Sequence, residues 1–145
     1  MELNKAMILL NQTIESKEQA IELAGKVLVD NGMATADYIE SMFERDRLVS
    51  TYMGNHIAIP HGTDEGRQFV KATGISVIQV PSGVDFSDEG NGEKVAKLIF
   101  GIAAVGDEHL ELLSNIAIIC SEEANVQRLV NAETEEEIIE ILKEA

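Results

Sequence analysis

The fold is decided by the stretch Lys97-Leu-Ile-Phe-Gly-Ile-Ala-Ala104, which is apolar at both odd and even positions. Alternate residues of a strand face opposite sides of a sheet, so a strand that is apolar on both faces is covered on both sides. Two shorter runs rich in β-branched residues, 57–59 and 75–80, also predict strands, and residues 6–10 are a candidate fourth. We therefore expect a sheet with the run 97–104 near its centre.

Apolar residues elsewhere recur at helical spacing. Helices are predicted over 17–31, from Thr35 to the charged cluster 44–47, over 108–120, over 125–130 and from Thr134 onward. Ser16 and Gln19 have the spacing of a capping box at the first helix, and Gly32 supplies its left-handed end. The Gly-rich stretch 82–92 is interpreted as a surface loop. The order predicts a single α/β domain, in which a mixed β-sheet is flanked by helices on both faces.

Charge excludes several classes of function. The 145 residues contain 11 Lys and Arg against 26 Asp and Glu, a formal net charge of −15. A protein so acidic repels nucleic-acid phosphates and anionic membrane surfaces, so nucleic-acid binding is excluded. The N-terminal residues do not have the pattern of a signal peptide, and no apolar run approaches the roughly 18 residues that span a bilayer. We predict a cytoplasmic protein with no direct membrane insertion.

The segment most informative about chemistry is Ile57-Ala-Ile-Pro-His61-Gly-Thr63. A buried strand runs into Pro60, which stops it, and Gly62 frees the backbone directly after the histidine. His61 is thus placed at the carboxyl end of a strand, where open α/β sheets bind ligands. A neutral imidazole is a nucleophile, whereas the alternative interpretation is a turn histidine with a satisfied hydrogen bond.

His109 is predicted in the first turn of the helix that follows the central strand, so it also lies near a strand's carboxyl end. A solvated surface histidine is the alternative interpretation unless His109 and His61 meet. His56 precedes His61 by five residues with Pro60 between them, and its side chain is expected to point away. No HExxH motif or tight ligand pair is present, so no metal and no cofactor is predicted.

Two other side chains could carry chemistry. Arg45 is predicted at a helix end, where its guanidinium could bind phosphate oxygens with two donors. The alternative is a salt bridge with Glu44, Asp46 or another of the abundant carboxylates. Arg47 is expected to pair only with surface acids. The single cysteine, Cys120, lies in an apolar run and is interpreted as a buried, inert thiol.

The segment from Arg45 to Thr63 resembles the active-site region of mannitol- and fructose-type enzyme IIA domains of the bacterial phosphoenolpyruvate-dependent sugar phosphotransferase system. The resemblance continues through 80–86, 98–104 and 108–110, and it is closest to the mannitol type. It implies one enzyme IIA type-2 domain over residues 1–145. It also implies that His61 accepts a phosphoryl group as a tele-phosphohistidine, that His109 is the second active-site histidine, and that Arg45 lies beside the phosphoryl group.

The resemblance further implies a phosphotransferase component that needs no cofactor. The phosphocarrier protein HPr would phosphorylate His61, and the mannitol-specific IIB unit of the membrane permease would receive the group during mannitol uptake. No IIB-like cysteine motif accompanies the domain, so its partners would be other chains. The first alternative is a nitrogen-type IIA protein that regulates other proteins by phosphorylation-dependent binding. A metal-dependent hydrolase is the third hypothesis.

Overall fold

The computed structural model of the protein describes residues 3–144. These residues form five strands and five α-helices, with short 3-10 turns at Lys5–Met7 and Glu65–Phe69. The strands are β1 (Ile8–Leu9), β2 (Tyr52–Gly54), β3 (Ile57–Ala58), β4 (Gly74–Asp85) and β5 (Val95–Ala103). The helices are α1 (Lys17–Asp30), α2 (Asp37–Leu48), α3 (Glu108–Cys120), α4 (Glu123–Asn131) and α5 (Glu135–Leu142).

The strands form one mixed sheet in the order β1-β4-β5-β3-β2. The β1–β4 and β3–β5 pairs are parallel, whereas β4–β5 and β2–β3 are antiparallel. On β5, Ile99 and Ala103 pack with α1 and α2, while Leu98, Phe100 and Ile102 pack with α3, α4 and α5. Both faces of the central strand are therefore covered by helices, and the predicted fold class is confirmed.

Local capping explains where α1 begins and ends. The Ser16 hydroxyl accepts a hydrogen bond from the Gln19 amide at 3.2 Å, and Gly32 follows the helix at φ 79°. A side-chain acceptor at this position satisfies an amide that the first turn leaves without a backbone partner. The Thr134 hydroxyl does the same for the Glu137 amide at the start of α5, also at 3.2 Å.

The predicted cap of α2 is wrong. The helix begins at Asp37, its N-cap is Ala36, and no side chain caps it. The Thr35 hydroxyl oxygen is buried without a hydrogen-bond partner in the described residues. The Thr35 amide donates instead to the Phe69 carbonyl at 2.8 Å, so tertiary pairing of this segment overrides the local capping preference.

The prediction of a loop over 82–92 is also partly wrong. Strand β4 continues to Asp85, and after a shift in register Val84 and Asp85 pair with Ala96 and Val95. Phe86 is fully buried and anchors this extension to the core. The Gly-rich, polar composition predicts a surface loop, but pairing with a long neighbouring strand and burial of one aromatic side chain outweigh it.

No helix within residues 3–144 combines the length and the apolar composition required to cross a bilayer.

Strand β2 was not predicted, and it pairs with β3 through a tight turn at Asn55 and His56, which have φ of 52° and 67°. This turn places the short β3 between β2 and β5. The residues that follow β3 consequently leave the sheet beside its central strand.

Candidate active site

His61 follows a short segment, Ile59 and Pro60, that forms backbone hydrogen bonds to neighbouring parts of the chain on both sides. The Ile59 amide donates to the Thr51 carbonyl at 2.9 Å, and the Ile102 amide donates to the Pro60 carbonyl at 2.9 Å. His61 itself forms an isolated parallel bridge with Ile102. The histidine is therefore fixed at the carboxyl end of β3, the edge where ligands bind in sheets of this kind.

The orientation of the His61 ring is set by its own neighbourhood. Nδ1 lies 2.8 Å from the carbonyl oxygen of Ile59, an acceptor, so this nitrogen carries the proton and donates it. Burial lowers the pKa of His61 below its ordinary value, and the positive charges of Arg45 and His109 lower it further, although the bond to Ile59 opposes them. The ring is thus neutral near pH 7, with the lone pair on Nε2.

Tyr38, from the first turn of α2, supports the backbone just after His61. Its buried hydroxyl donates to the Ile102 carbonyl at 2.6 Å and accepts from the Gly62 amide at 2.9 Å. A Cβ atom at residue 62 would lie 2.4 Å from the hydroxyl oxygen of Ser41. Glycine at position 62 is therefore required by the close approach of α2.

Arg45 lies in the last turn of α2 and lines the same cleft as His61. Its Nη1 donates to the Val49 carbonyl at 2.6 Å, and among the described residues it has no salt bridge. Asp46, the alternative partner, pairs with Lys17 at 3.0 Å, and Arg47 pairs with Glu40 at 3.3 Å. The cleft therefore keeps an arginine that surface acids do not neutralise.

His109 lies at the second residue of α3 and lines this cleft of about 410 Å³. Its Nδ1 is 3.3 Å from the Gly106 carbonyl, and its Nε2 is 3.4 Å from Nη2 of Arg67. The fold thus brings His61, His109 and Arg45 to one cleft, as the sequence hypothesis requires.

Arg67 is a cleft residue that the sequence analysis missed. It lies in the 3-10 turn after His61, and its Nη2 is also 3.4 Å from Asp64. One signal was available, since Arg67 follows His61 by six residues in a chain with only 11 Lys and Arg. With Arg67, two guanidinium groups face a cleft in a strongly acidic protein.

The other chemistry-bearing side chains lie elsewhere. His56 is exposed, and its Nδ1 is 3.0 Å from the Val95 carbonyl. Burial raises the pKa of the Cys120 thiol to about 12, so the thiolate that would be a nucleophile is not formed at neutral pH. Across residues 3–144 no group of three or more His, Cys, Asp or Glu side chains is arranged to hold a metal ion.

An apolar rim surrounds part of the cleft. Leu48 at the end of α2 is 73% exposed, and Leu110 in the first turn of α3 is 60% exposed; both line the cleft. Val49 and Val105, adjacent to these helix ends, are also exposed. Large exposed apolar side chains beside a polar site are typical of a surface that other macromolecules cover transiently.

Comparison with known proteins identifies a family model that matches the whole chain and relatives that match nearly all of it. The family described as "Phosphoenolpyruvate-dependent sugar phosphotransferase system, EIIA 2" matches residues 1–145. The mannitol-specific phosphotransferase enzyme IIA component of Bacillus subtilis (strain 168) is 57% identical over 142 residues, which are 98% of this chain and 96% of that protein.

Solved structures give the same result. A chain from the complex of enzyme IIAMTL and phosphorylated enzyme IIBMTL of Escherichia coli is 33% identical with a TM-score of 0.93, covering 99% of both chains. The nitrogen regulatory protein IIA-Ntr from Neisseria meningitidis is 32% identical with a TM-score of 0.80, covering 96% of this chain and 94% of that one.

Proposed function

Because the chain belongs to the EIIA 2 family of the phosphoenolpyruvate-dependent sugar phosphotransferase system, we propose that it is the mannitol-specific phosphoryl carrier of such a system. It accepts a phosphoryl group from phosphorylated HPr on His61 and passes that group to a mannitol-specific IIB unit. We place this transfer in the cytoplasm, where the protein would meet both HPr and the IIB unit.

The observation that carries this proposal is the His61 ring itself. Its Nδ1 proton is donated to Ile59, so the nucleophilic lone pair belongs to Nε2. In the accepting step Nε2 forms a bond to phosphorus while the bond between phosphorus and the donor breaks. In the delivering step the new P–N bond breaks as the acceptor on IIB attacks. The product of the first step is a tele-phosphohistidine.

The cations of the cleft suit the charge of the transferred group. Phosphoryl transfer passes through a loose transition state, so catalysis consists of positioning and of stabilising charge on the equatorial oxygens. Arg45 and Arg67 offer guanidinium donors, and His109 offers an imidazole. In a protein of net charge −15 these groups supply the local positive charge that an incoming phosphoryl group needs.

The rim of the cleft supports a role in transfer between proteins. A phosphoryl group moves directly from one macromolecule to another only if the two surfaces come together around the reacting nitrogen. Exposed Leu48 and Leu110 give such a contact an apolar part, next to the cleft that contains His61. The E. coli relative was solved as a complex with phosphorylated enzyme IIBMTL, which supports a IIB unit as the acceptor.

A regulatory nitrogen-type protein is the second candidate, favoured by the similarity to IIA-Ntr from N. meningitidis. That similarity is weaker, at 32% identity against 57% for the B. subtilis mannitol component. The two functions differ in the acceptor, because a carrier delivers its phosphoryl group to a sugar-specific IIB and a regulator does not.

The test is reconstitution with purified partners. The protein is incubated with phosphoenolpyruvate, enzyme I and HPr, and the modified residue is located by mass spectrometry under conditions that preserve phosphohistidine. We expect one phosphoryl group on His61, none on the His61→Ala variant, and rapid transfer to a mannitol-specific IIB. Modification of His56 or His109 with His61 unmodified would contradict the site, and failure to transfer to any IIB would favour the regulatory function.

A further inference from the structure

A buried carboxylate follows Arg45 directly in the sequence and takes no part in lining the cleft. Asp46, at the end of α2, is only 4% exposed. Its Oδ1 accepts hydrogen bonds from the Thr51 amide at 3.0 Å and from the Thr51 hydroxyl at 2.8 Å, and its Oδ2 pairs with Nζ of Lys17 at 3.0 Å. Lys17 also pairs with Asp88, so the Lys17 ammonium connects the start of α1 both to the end of α2 and to the segment after β4.

The Asp46 carboxylate leads to the His61 ring through a continuous series of hydrogen bonds. Thr51, held by Asp46 through both its amide and its hydroxyl, presents its carbonyl to the Ile59 amide at 2.9 Å. The carbonyl of Ile59 in turn accepts the Nδ1 proton of His61 at 2.8 Å. The direction of that carbonyl sets both the tautomer of the imidazole and the direction of Nε2.

A stabilising role alone does not account well for this arrangement. A buried ion pair loses much of its attraction to the cost of removing two charges from water, so it contributes little net stability compared with apolar packing. What it provides is a defined geometry for the groups bonded to it. Here the group bonded most closely is Thr51, which flanks the segment that delivers His61.

We propose that Asp46 and Thr51 are positioning residues, which orient the imidazole of His61 through the backbone of Ile59. Neither residue touches the transferred group, so their effect is exerted on the angle and tautomer of the ring. This inference rests on the proposed function, because it assigns the positioned ring the role of phosphoryl acceptor.

The test replaces the Thr51 hydroxyl with minimal change of shape. Thr51→Val removes the bond from the hydroxyl to Asp46 and keeps the amide bond, and Thr51→Ser restores the hydroxyl. Thr35→Val is the matched control, since the Thr35 hydroxyl is buried and has no partner in the described residues. If Thr51→Val folds poorly, Asp46→Asn, which keeps the size of the side chain and removes its charge, takes its place.

Two measurements are made on each folded variant. Nitrogen-15 NMR of the His61 ring reports the fraction of the Nδ1-protonated tautomer. This measurement is made on the unphosphorylated protein. The rate of phosphorylation by HPr reports the functional effect. For Thr51→Val we expect a smaller Nδ1-protonated fraction and a rate lower by about threefold to tenfold, less than the roughly hundredfold that a 1 Å misplacement can cause.

Rescue of both values by Thr51→Ser, with Thr35→Val unchanged, would support the inference. A Thr51→Val protein with the wild-type tautomer and rate would overturn it, as would equal losses in Thr51→Val and Thr35→Val. Absence of phosphorylation in the wild-type protein would contradict the proposed function instead, and the tautomer would then decide the positioning role by itself.

Discussion

Tyr38→Phe is the perturbation with the best-defined consequences, because one oxygen atom connects two backbone groups beside His61. The hydroxyl donates to the Ile102 carbonyl at 2.6 Å and accepts from the Gly62 amide at 2.9 Å, in a residue only 4% exposed. Each hydrogen bond contributes about 0.5–1.5 kcal/mol, and a buried polar group left without a partner, as at the fully buried Ile102, adds about 1–3 kcal/mol. We expect the free energy of unfolding to fall by about 2–4 kcal/mol.

The only other tyrosine of the chain provides the control. The Tyr52 hydroxyl donates to the Val95 carbonyl and accepts from the His56 amide, both at 3.2 Å, and it is partly exposed. Because water can replace these bonds, Tyr52→Phe should lower the free energy of unfolding by less than about 1 kcal/mol. Both variants remove one oxygen and two hydrogen bonds, so the comparison isolates burial and position.

Urea denaturation at pH 7 measures the difference in stability, provided that the m value is unchanged. Phosphorylation of His61 by HPr should be slower in Tyr38→Phe, since the backbone directly after the histidine is less firmly held. It should be unaffected in Tyr52→Phe. Equal stabilities and equal rates in the two variants would refute the assignment of Tyr38 as the support of this segment.

The Tyr38 hydroxyl also predicts a dependence on alkaline pH. Burial raises its pKa, although the hydrogen bond from Gly62 and the charge of Arg67 oppose this. The folded protein then binds the phenolic proton more tightly than the unfolded chain, so this contribution to stability is present below about pH 10 and lost above it. Tyr38→Phe should lose less stability than the wild type above that pH.

Two further predictions concern the cleft, and a third concerns Cys120. Arg45→Gln should slow phosphorylation of His61 by about 10²–10³-fold, as loss of an oxyanion donor does. Arg45→Lys should have a smaller effect, and Arg47→Gln should be close to wild type. Equal losses in Arg45→Gln and Arg47→Gln would assign the effect to general surface charge. The His61 ring should titrate by NMR with a pKa below about 6.5, and that pKa should rise in Arg45→Gln and in His109→Ala, since both charges lower it. The unfolded chain then binds the imidazole proton more tightly than the folded protein, so the wild type should lose stability as the pH falls below about 6.5, and a His61→Asn protein should lose less. The Cys120 thiol should resist a thiol reagent in the folded protein at pH 8 and react after unfolding, because burial raises its pKa to about 12.

The amino-acid sequence alone predicts the fold class and places His61 at the end of a strand. A run that is apolar on both faces, such as 97–104, has to be a covered strand because exposure of either face would leave apolar surface in water. The Pro60-His61 sequence likewise limits the local backbone, because proline ends the strand directly before the histidine. Both signals depend only on residues that are close in sequence, so they can be identified without the tertiary structure.

The tertiary structure decided which distant groups share the cleft. Arg67 and His109 are 42 residues apart, and only the packing of α3 beside the 3-10 turn brings their nitrogens to 3.4 Å. Thr35 shows the converse, because its local pattern predicts a cap that pairing with Phe69 overrides. The partner of Asp46 was equally open, since Arg45 and Arg47 are its neighbours in sequence but Lys17 reaches it in space. Side chains pair according to their distances in the folded protein, and these distances do not follow from separation along the sequence.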